Sequence, residues 1–175
     1  MPIVTILLVI ITLIIAIGLV VFLFFNSIGF FSGAPYAATP GSIVNKIFSL
    51  VDISEKDVVY DLGSGDGRIL IAVAKKGARA TGWEINFPLY LWSIRRIRRL
   101  KLSHRITVHF GNFWKKSLSG STVIFAFLLP EYMARLEKKI SREVTPGVKV
   151  VTYLARLPSR KPVETTEDGL SLYQF

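Results

Sequence analysis

Asp61-Leu62-Gly63-Ser64-Gly65-Asp66-Gly67-Arg68 is the stretch from which the rest of the chain is read. It follows Val58–Leu62, a short apolar run with β-branched residues that reads as a buried strand. It leads into Arg68–Lys76, a helical stretch closed by Gly77 at a C-cap position. A glycine-rich turn between a strand and a helix lets a ligand approach the backbone closely. The dinucleotide fingerprint G-x-G-x-x-G fails in both frames, because the third glycine would be Arg68 counted from Gly63 and Leu70 counted from Gly65. The phosphate-cradling Walker A pattern fails too, since no Gly-Lys-Ser/Thr follows. What remains is D-x-G-x-G-x-G.

Around this turn, strand and helix signals alternate. Ser42–Val51 has helical spacing at Ile43, Ile47 and Val51, and Asp52–Asp57 is a polar turn. After the loop come a strand at Ala80–Ile85, a helix at Phe87–Lys101, and strands at Ile106–Phe110 and Thr122–Leu128. A helix at Pro130–Glu143 carries Pro at its first turn. Thr145-Pro146-Gly147 turns into a strand at Val148–Leu154, and two short strands follow near Val163–Thr166 and Leu170–Phe175. This order predicts an α/β domain, Rossmann-like, with a seven-stranded mostly parallel sheet and helices on both faces. Such sheets bind ligands at the carboxyl ends of their strands.

The loop resembles motif I of the class I S-adenosylmethionine-dependent methyltransferases. Charge agrees with that resemblance. The chain has 175 residues, 22 Lys+Arg and only 12 Asp+Glu, for a net charge of +10. A phosphate site wants positive potential, whereas S-adenosylmethionine has no phosphate and carries a sulfonium and an ammonium. Its pocket should be acidic. Asp61 and Asp66 lie in the loop, and Glu84 ends the second strand 17 residues beyond Gly67, where an acid can accept from ribose hydroxyls. The plain alternative makes Asp66-Gly67 a turn and Asp61 a cap.

The N-terminus is a separate object. Ile3–Phe25 holds 23 residues without a charge, and the first charged residue is Lys46. As a helix it would span roughly 34 Å, enough for a hydrocarbon core of about 30 Å. A cleaved signal peptide would have a basic start and a shorter apolar run, although Ala34, Ala37 and Ala38 resemble a cleavage site. The reading is a transmembrane anchor over 1–25, a Ser/Gly/Pro-rich linker and cofactor-closing segment over 26–40, and the catalytic domain over 41–175. The nearest basic residues are C-terminal to the span, which places the domain on the cytoplasmic side of a single-pass protein. Cysteine is absent, which removes disulfides, thiolate catalysis and cysteine-ligated metal. His104 and His109 have no partners at metal spacing, so no metal site is expected.

Further elements recur in order: Pro35-Tyr36 with Thr39-Pro40, Glu84-Ile85-Asn86, Gly111-Asn112-Phe113 and Leu136-Glu137-Lys138-Lys139. With the loop, they resemble one family of seven-β-strand protein-lysine N-methyltransferases. That family includes the mitochondrial enzymes acting on the adenine nucleotide translocase and on a small membrane component of ATP synthase, and an archaeal lysine methyltransferase. The resemblance runs from about Pro35 to the C-terminus. It implies that Tyr36 and Thr39 close over the cofactor and that Gly63, Ser64, Gly65 and Asp66 cradle it. It further implies that Glu84 takes the ribose with Asn86 beside it, and that Asn112 and Phe113 face the adenine. Mitochondrial members tend to carry Asp where this chain has Asn112; Asn still offers a donor and an acceptor.

Phe127-Leu128-Leu129-Pro130-Glu131-Tyr132 falls where this fold admits the methyl acceptor. It lacks the Asp/Asn-Pro-Pro-aromatic pattern of exocyclic base-amine methylation, which lowers the nucleic-acid reading. No dedicated base is visible; Tyr36, Phe127 and Glu131 are the weak catalytic candidates, with Glu131 also a natural helix-start acid. Arg95, Arg96, Arg98, Arg99, Lys101 and Arg105 place six of the 22 basic residues within eleven positions. Beside Tyr90 and Trp92 they read as a contact for anionic lipid, for nucleic acid, or as a solvated face. The leading expectation is a membrane-anchored protein-lysine methyltransferase using S-adenosylmethionine. A membrane-bound lipid or quinone-like methyltransferase, and a non-catalytic membrane- or RNA-binding module, stand behind it.

Overall fold

Seven strands form one sheet in the order β3-β2-β1-β4-β5-β7-β6 in the computed structural model, which describes residues 2–32 and 39–175. The strands are β1 (Val58–Leu62), β2 (Arg79–Glu84), β3 (Ile106–Phe110), β4 (Val123–Ala126), β5 (Lys149–Tyr153), β6 (Glu164–Thr165) and β7 (Leu170–Gln174). The first five are parallel, while β7 runs antiparallel to β5 and to β6. Strand order reverses between β1 and β4. That is the topological switch point, outside whose carboxyl edge such sheets bind ligands.

Two apolar cores cover the two faces. On one, α2 (Gly41–Leu50) and α3 (Arg68–Lys75) bury Ile43, Val44, Ile47, Leu70 and Val73, and α4 (Phe87–Arg99) adds Ile97. On the other, α5 (Met133–Glu143) buries Met133, Leu136 and Ile140 against Leu62, Ile124 and Tyr173. Helices therefore lie on both faces, as the alternation of signals predicts.

Among the boundaries that differ from the sequence reading, three have a physical cause visible in the structure. First, α1 runs from Pro2 to Ser32, so the opening residues of the expected 26–40 linker are helical. No proline interrupts the chain until Pro35. Ser and Gly in an otherwise apolar helix cost only about 1 kcal/mol each or less, and Ser27 Oγ bonds back to the Phe24 carbonyl at 2.7 Å. Second, α4 stops at Arg99. Lys101 takes φ 57°, with Leu102 N donating to Ile97 O and Lys101 N to Arg98 O. This pair of bonds is a Schellman cap, built here on lysine instead of glycine. Third, Pro130–Tyr132 is a single 3₁₀ turn, and the α-helix proper starts at Met133.

Ile3–Phe24 of α1 is long and apolar enough to cross a membrane, and none of it is buried in the protein. Its large side chains stand between 44% exposed at Ile11 and 79% at Ile3. A core helix of a soluble protein would be covered. Neither apolar core includes a residue before Ile43.

The glycine loop and candidate active site

The loop is held by backbone before any side chain acts. Gly63 N and Ser64 N both donate to the Trp83 carbonyl, and Gly67 N donates to Ser64 O. These bonds tie the carboxyl end of β1 to β2. Gly63 and Gly65 sit at φ 97° and 53°, left-handed values that glycine adopts without strain. At Gly82 under the loop, a Cβ would lie 2.6 Å from both Leu70 Cδ1 and Ser64 Cβ. A side chain there would push Ser64 out of place.

Glu84 reaches into the loop from the end of β2. Its Oε2 accepts from Gly65 N and its Oε1 from Asn86 N, both at 2.7 Å. Burial pushes its carboxyl above the ordinary value, while hydrogen bonds from the Asn86, Gly65 and Ile85 backbone pull the other way. Three backbone donors thus face the four lone-pair directions of this carboxylate. Asn86 caps α4 by accepting from Leu89 N, and Asn112 caps the 3₁₀ turn Phe113–Lys115 by accepting from Trp114 N. A cleft at this edge is lined by Gly63, Trp83, Glu84, Ile85, Gly111, Asn112 and Phe113. Phe113 is largely core, 4% exposed, and reaches the cleft wall as well.

Asp66 is engaged differently. Arg68 grips its two oxygens through Nε and Nη2, at 2.8 and 3.0 Å, and Arg96 of α4 adds Nη1 at 2.8 Å. Arg68 Nη1 also donates to the carbonyl of buried Thr39 at 2.7 Å. Burial works against ionisation of Asp66, but the two guanidinium groups outweigh it and hold its carboxyl below the ordinary value. The Arg68–Asp66–Arg96 bridge thus joins the segment after α1 to the loop and to α4. Sequence reasoning assigned Asp66 to the ligand and Arg96 to a surface cluster. The pairing of two residues this far apart left no local signal. Arg105, from the same basic run, donates to Gly77 O.

Asp61 lies beneath the loop, 4% exposed. Burial, then the nearby charges of Glu84 and Asp66, push its carboxyl up to about 7. Among the described residues, Asp61 Oδ2 and Ser64 Oγ are buried without a hydrogen-bond partner. Buried polar atoms are rarely left so. Two orphaned oxygens, the Asp61 and Glu84 carboxyls and a backbone cradle suit a cationic ligand with hydroxyl and amine donors.

Phe127 and Tyr153 meet edge to face, centroids 4.9 Å apart, at the ends of β4 and β5. Glu131 is exposed in the 3₁₀ turn. Tyr36 lies outside the described residues.

Fold and site together define a class I S-adenosylmethionine-dependent methyltransferase. An RNA methyltransferase from Salinibacter ruber, solved with S-adenosyl-L-homocysteine, superposes with a TM-score of 0.74 at 30% identity, over 79% of this chain and 92% of that one. A methyltransferase from Thiobacillus denitrificans shares the fold at TM-score 0.58 and 16% identity, over 69% of this chain and 52% of that one. The ANTKMT methyltransferase domain matches residues 61–164, and the chain belongs to that family. It is 34% identical over 139 residues to the protein-lysine N-methyltransferase of Saccharolobus islandicus, covering 77% of this chain and 86% of the relative. It is 32% identical to the ATP synthase C-subunit lysine N-methyltransferase of Xenopus laevis over 137 residues, or 78% of this chain. It is 33% identical to the adenine nucleotide translocase lysine N-methyltransferase of Mus musculus over 138 residues, or 77% of this chain. The chain spans 60% and 59% of the length of those two proteins.

Proposed function

We propose that this enzyme is a membrane-anchored protein-lysine N-methyltransferase, held by α1 with its catalytic domain at the cytoplasmic surface. The observation that carries the anchor is the fully uncovered apolar length of Ile3–Phe24. Exposed apolar surface of that extent needs an apolar partner. Tethering would raise the local concentration of membrane-protein acceptors at the site. The lysine acceptor is supported by the named activities of the relatives above.

Bound S-adenosylmethionine supplies the electrophilic methyl group; the chain supplies position and electrostatics. The Gly63–Gly67 backbone, Ser64 and Asp61 would hold the amino-acid end. Glu84 would use its remaining acceptor capacity for the ribose, with Asn86 orienting the start of α4. Asn112 and Phe113 would border the adenine. Thr39, fixed by Arg68, with Tyr36 would close the near side. Across the switch point, Phe127 and Tyr153 border an apolar approach for an aliphatic side chain. Low polarity there disfavours the ammonium and promotes the neutral amine that methyl transfer requires. No general base is assigned. Arg95, Arg98, Arg99 and Lys101 remain exposed on α4 and its cap, where they would meet anionic headgroups near the anchor.

The test is incubation of the full chain with radiolabelled S-adenosylmethionine and host membranes, followed by gel separation and acid hydrolysis. Methyl-lysine in a protein band is expected. Label confined to the lipid fraction refutes the lysine reading in favour of a lipid or quinone-like acceptor. In a parallel incubation with added RNA, label confined to the RNA favours the activity named for the Salinibacter ruber protein. Glu84→Ala should weaken cofactor binding at least tenfold; unchanged binding refutes the ribose assignment.

A further inference from the structure

At the end of β5 the backbone does something costly. Leu154 takes φ 64°, and Ala155 N donates to Tyr153 O at 2.9 Å across it. A bond from residue i+2 back to residue i around a positive φ is the strained form of the γ-turn. For a residue with a Cβ, such a conformation costs on the order of 1–3 kcal/mol and persists only where the surroundings impose it. Here they do. Leu154 N donates to Gly169 O, and Thr152 Oγ1 donates to Ala155 O at 2.7 Å. Glycine would sit at this position without strain, yet the chain carries leucine and leaves it 64% exposed.

An exposed leucine alone means little. Its place is what matters. Leu62, Ala126 and Thr152 are level with one another across β1, β4 and β5. The residues that follow, Gly63, Phe127 and Tyr153, therefore stand side by side at the carboxyl edge, with Tyr153 as the last residue of β5, paired with Leu170 of β7. At about 4.8 Å per strand, Tyr153 stands about 10 Å from the glycine loop. The carboxyl ends of β1, β2 and β3 carry the cofactor residues, which leaves the ends of β4 and β5 for the second substrate. Leu154 continues the apolar edge begun by the Phe127–Tyr153 pair, farther from the loop.

We propose that Leu154 is a specificity-determining residue that contacts the acceptor polypeptide beside the lysine being methylated, with Phe127 and Tyr153 flanking the lysine stem. This rests on the protein-lysine reading above. The strained turn presents an apolar side chain outward, where an acceptor segment lying along the sheet edge would cover it.

Leu154→Gly tests this without threatening the fold, because glycine relieves the strain. Leu154→Asn, which tolerates the same backbone region, replaces the apolar contact with a polar one. The full-length proteins are compared by calorimetric titration with S-adenosyl-L-homocysteine, by thermal midpoint, and by methyl-lysine formation against increasing solubilised host membrane protein. Both variants should bind S-adenosyl-L-homocysteine within twofold of wild type. The glycine variant should melt no lower than wild type, and both should need about tenfold more membrane protein for half-maximal rate, a loss typical of removing one apolar contact. Acceptor dependence within twofold of wild type overturns the inference while leaving the lysine reading intact, and so does a parallel tenfold loss of S-adenosyl-L-homocysteine affinity. Absence of methyl-lysine with the wild-type chain overturns both.

Discussion

Arg96 of α4 and Asp66 of the glycine loop, 30 residues apart, meet with Nη1 2.8 Å from Oδ2. The same carboxylate is gripped by Arg68, which also holds the Thr39 carbonyl. Close packing accompanies the pair: a Cβ on Gly67 would lie 3.2 Å from Ser93 Cβ of α4. One acid therefore ties together the loop, α4 and the chain that follows α1.

Arg68→Lys should separate fork geometry from charge. Lysine keeps the cation but cannot hold both Asp66 oxygens and Thr39 O in one plane. Cofactor affinity is expected to fall about three- to tenfold. Arg96→Ala should cost less than about 1 kcal/mol, because that side chain is 40% exposed and half-exposed pairs are screened. Calorimetric titration and thermal melting of both variants check the ranking; an Arg96→Ala loss exceeding that of Arg68→Lys contradicts it.

Gly82→Ala should be costly although it lies in a strand rather than the loop. The added methyl must displace Leu70 or Ser64, both within 2.6 Å. Overpacking of this kind costs about 1–3 kcal/mol. A lower thermal midpoint together with weaker cofactor binding is expected, since Ser64 lies in the glycine loop proposed to hold the cofactor. A variant with unaltered melting would show that the site is looser than the geometry implies.

Asp61 links cofactor binding to pH. Its folded-state carboxyl is raised to about 7 from 3.8. Between those values the folded protein holds a proton that the unfolded chain has lost. The Asp61 contribution to stability is therefore largest below about pH 4 and declines as pH rises through 7. A cationic ligand favours the ionised form, so binding should release a proton near pH 6.5 and strengthen as pH rises toward 8. Calorimetry in buffers of different ionisation enthalpy measures that proton. Asp61→Asn should abolish its release; retained release in that variant assigns the proton elsewhere.

Removal of residues 1–32 should leave a folded, cofactor-binding domain, because both apolar cores begin after it. The truncated protein is expected in the soluble fraction and the full chain in the membrane fraction. Sedimentation after carbonate wash, paired with cofactor titration, distinguishes loss of anchoring from loss of folding.

Much of this was legible residue by residue. The β1 and β3 boundaries follow from short apolar runs, and Gly77 at φ 93° closes α3 as a glycine after a helix should. The loop spacing alone excluded dinucleotide and phosphate cradles. Composition suggested a break at Asn26, whereas a helix already under way tolerates Ser27 and Gly29 and continues to Ser32. Asn112 was read as a ligand group, and its Oδ1 also caps a 3₁₀ turn, a role visible only once Trp114 N is in place.

By itself the sequence determined the order of elements, and the resemblance of its glycine loop to a known motif, supported by charge, implied the cofactor. Both depend on near neighbours: hydrophobic period, glycine spacing, and the sign of charge at strand ends. Tertiary structure decided that Asp66 faces two arginines, that Asp61 is buried enough to hold a proton near neutrality, and that Leu154 is strained at the sheet edge. Ion pairing, desolvation and imposed backbone strain arise from groups distant in the chain, and no local window of residues encodes those distances.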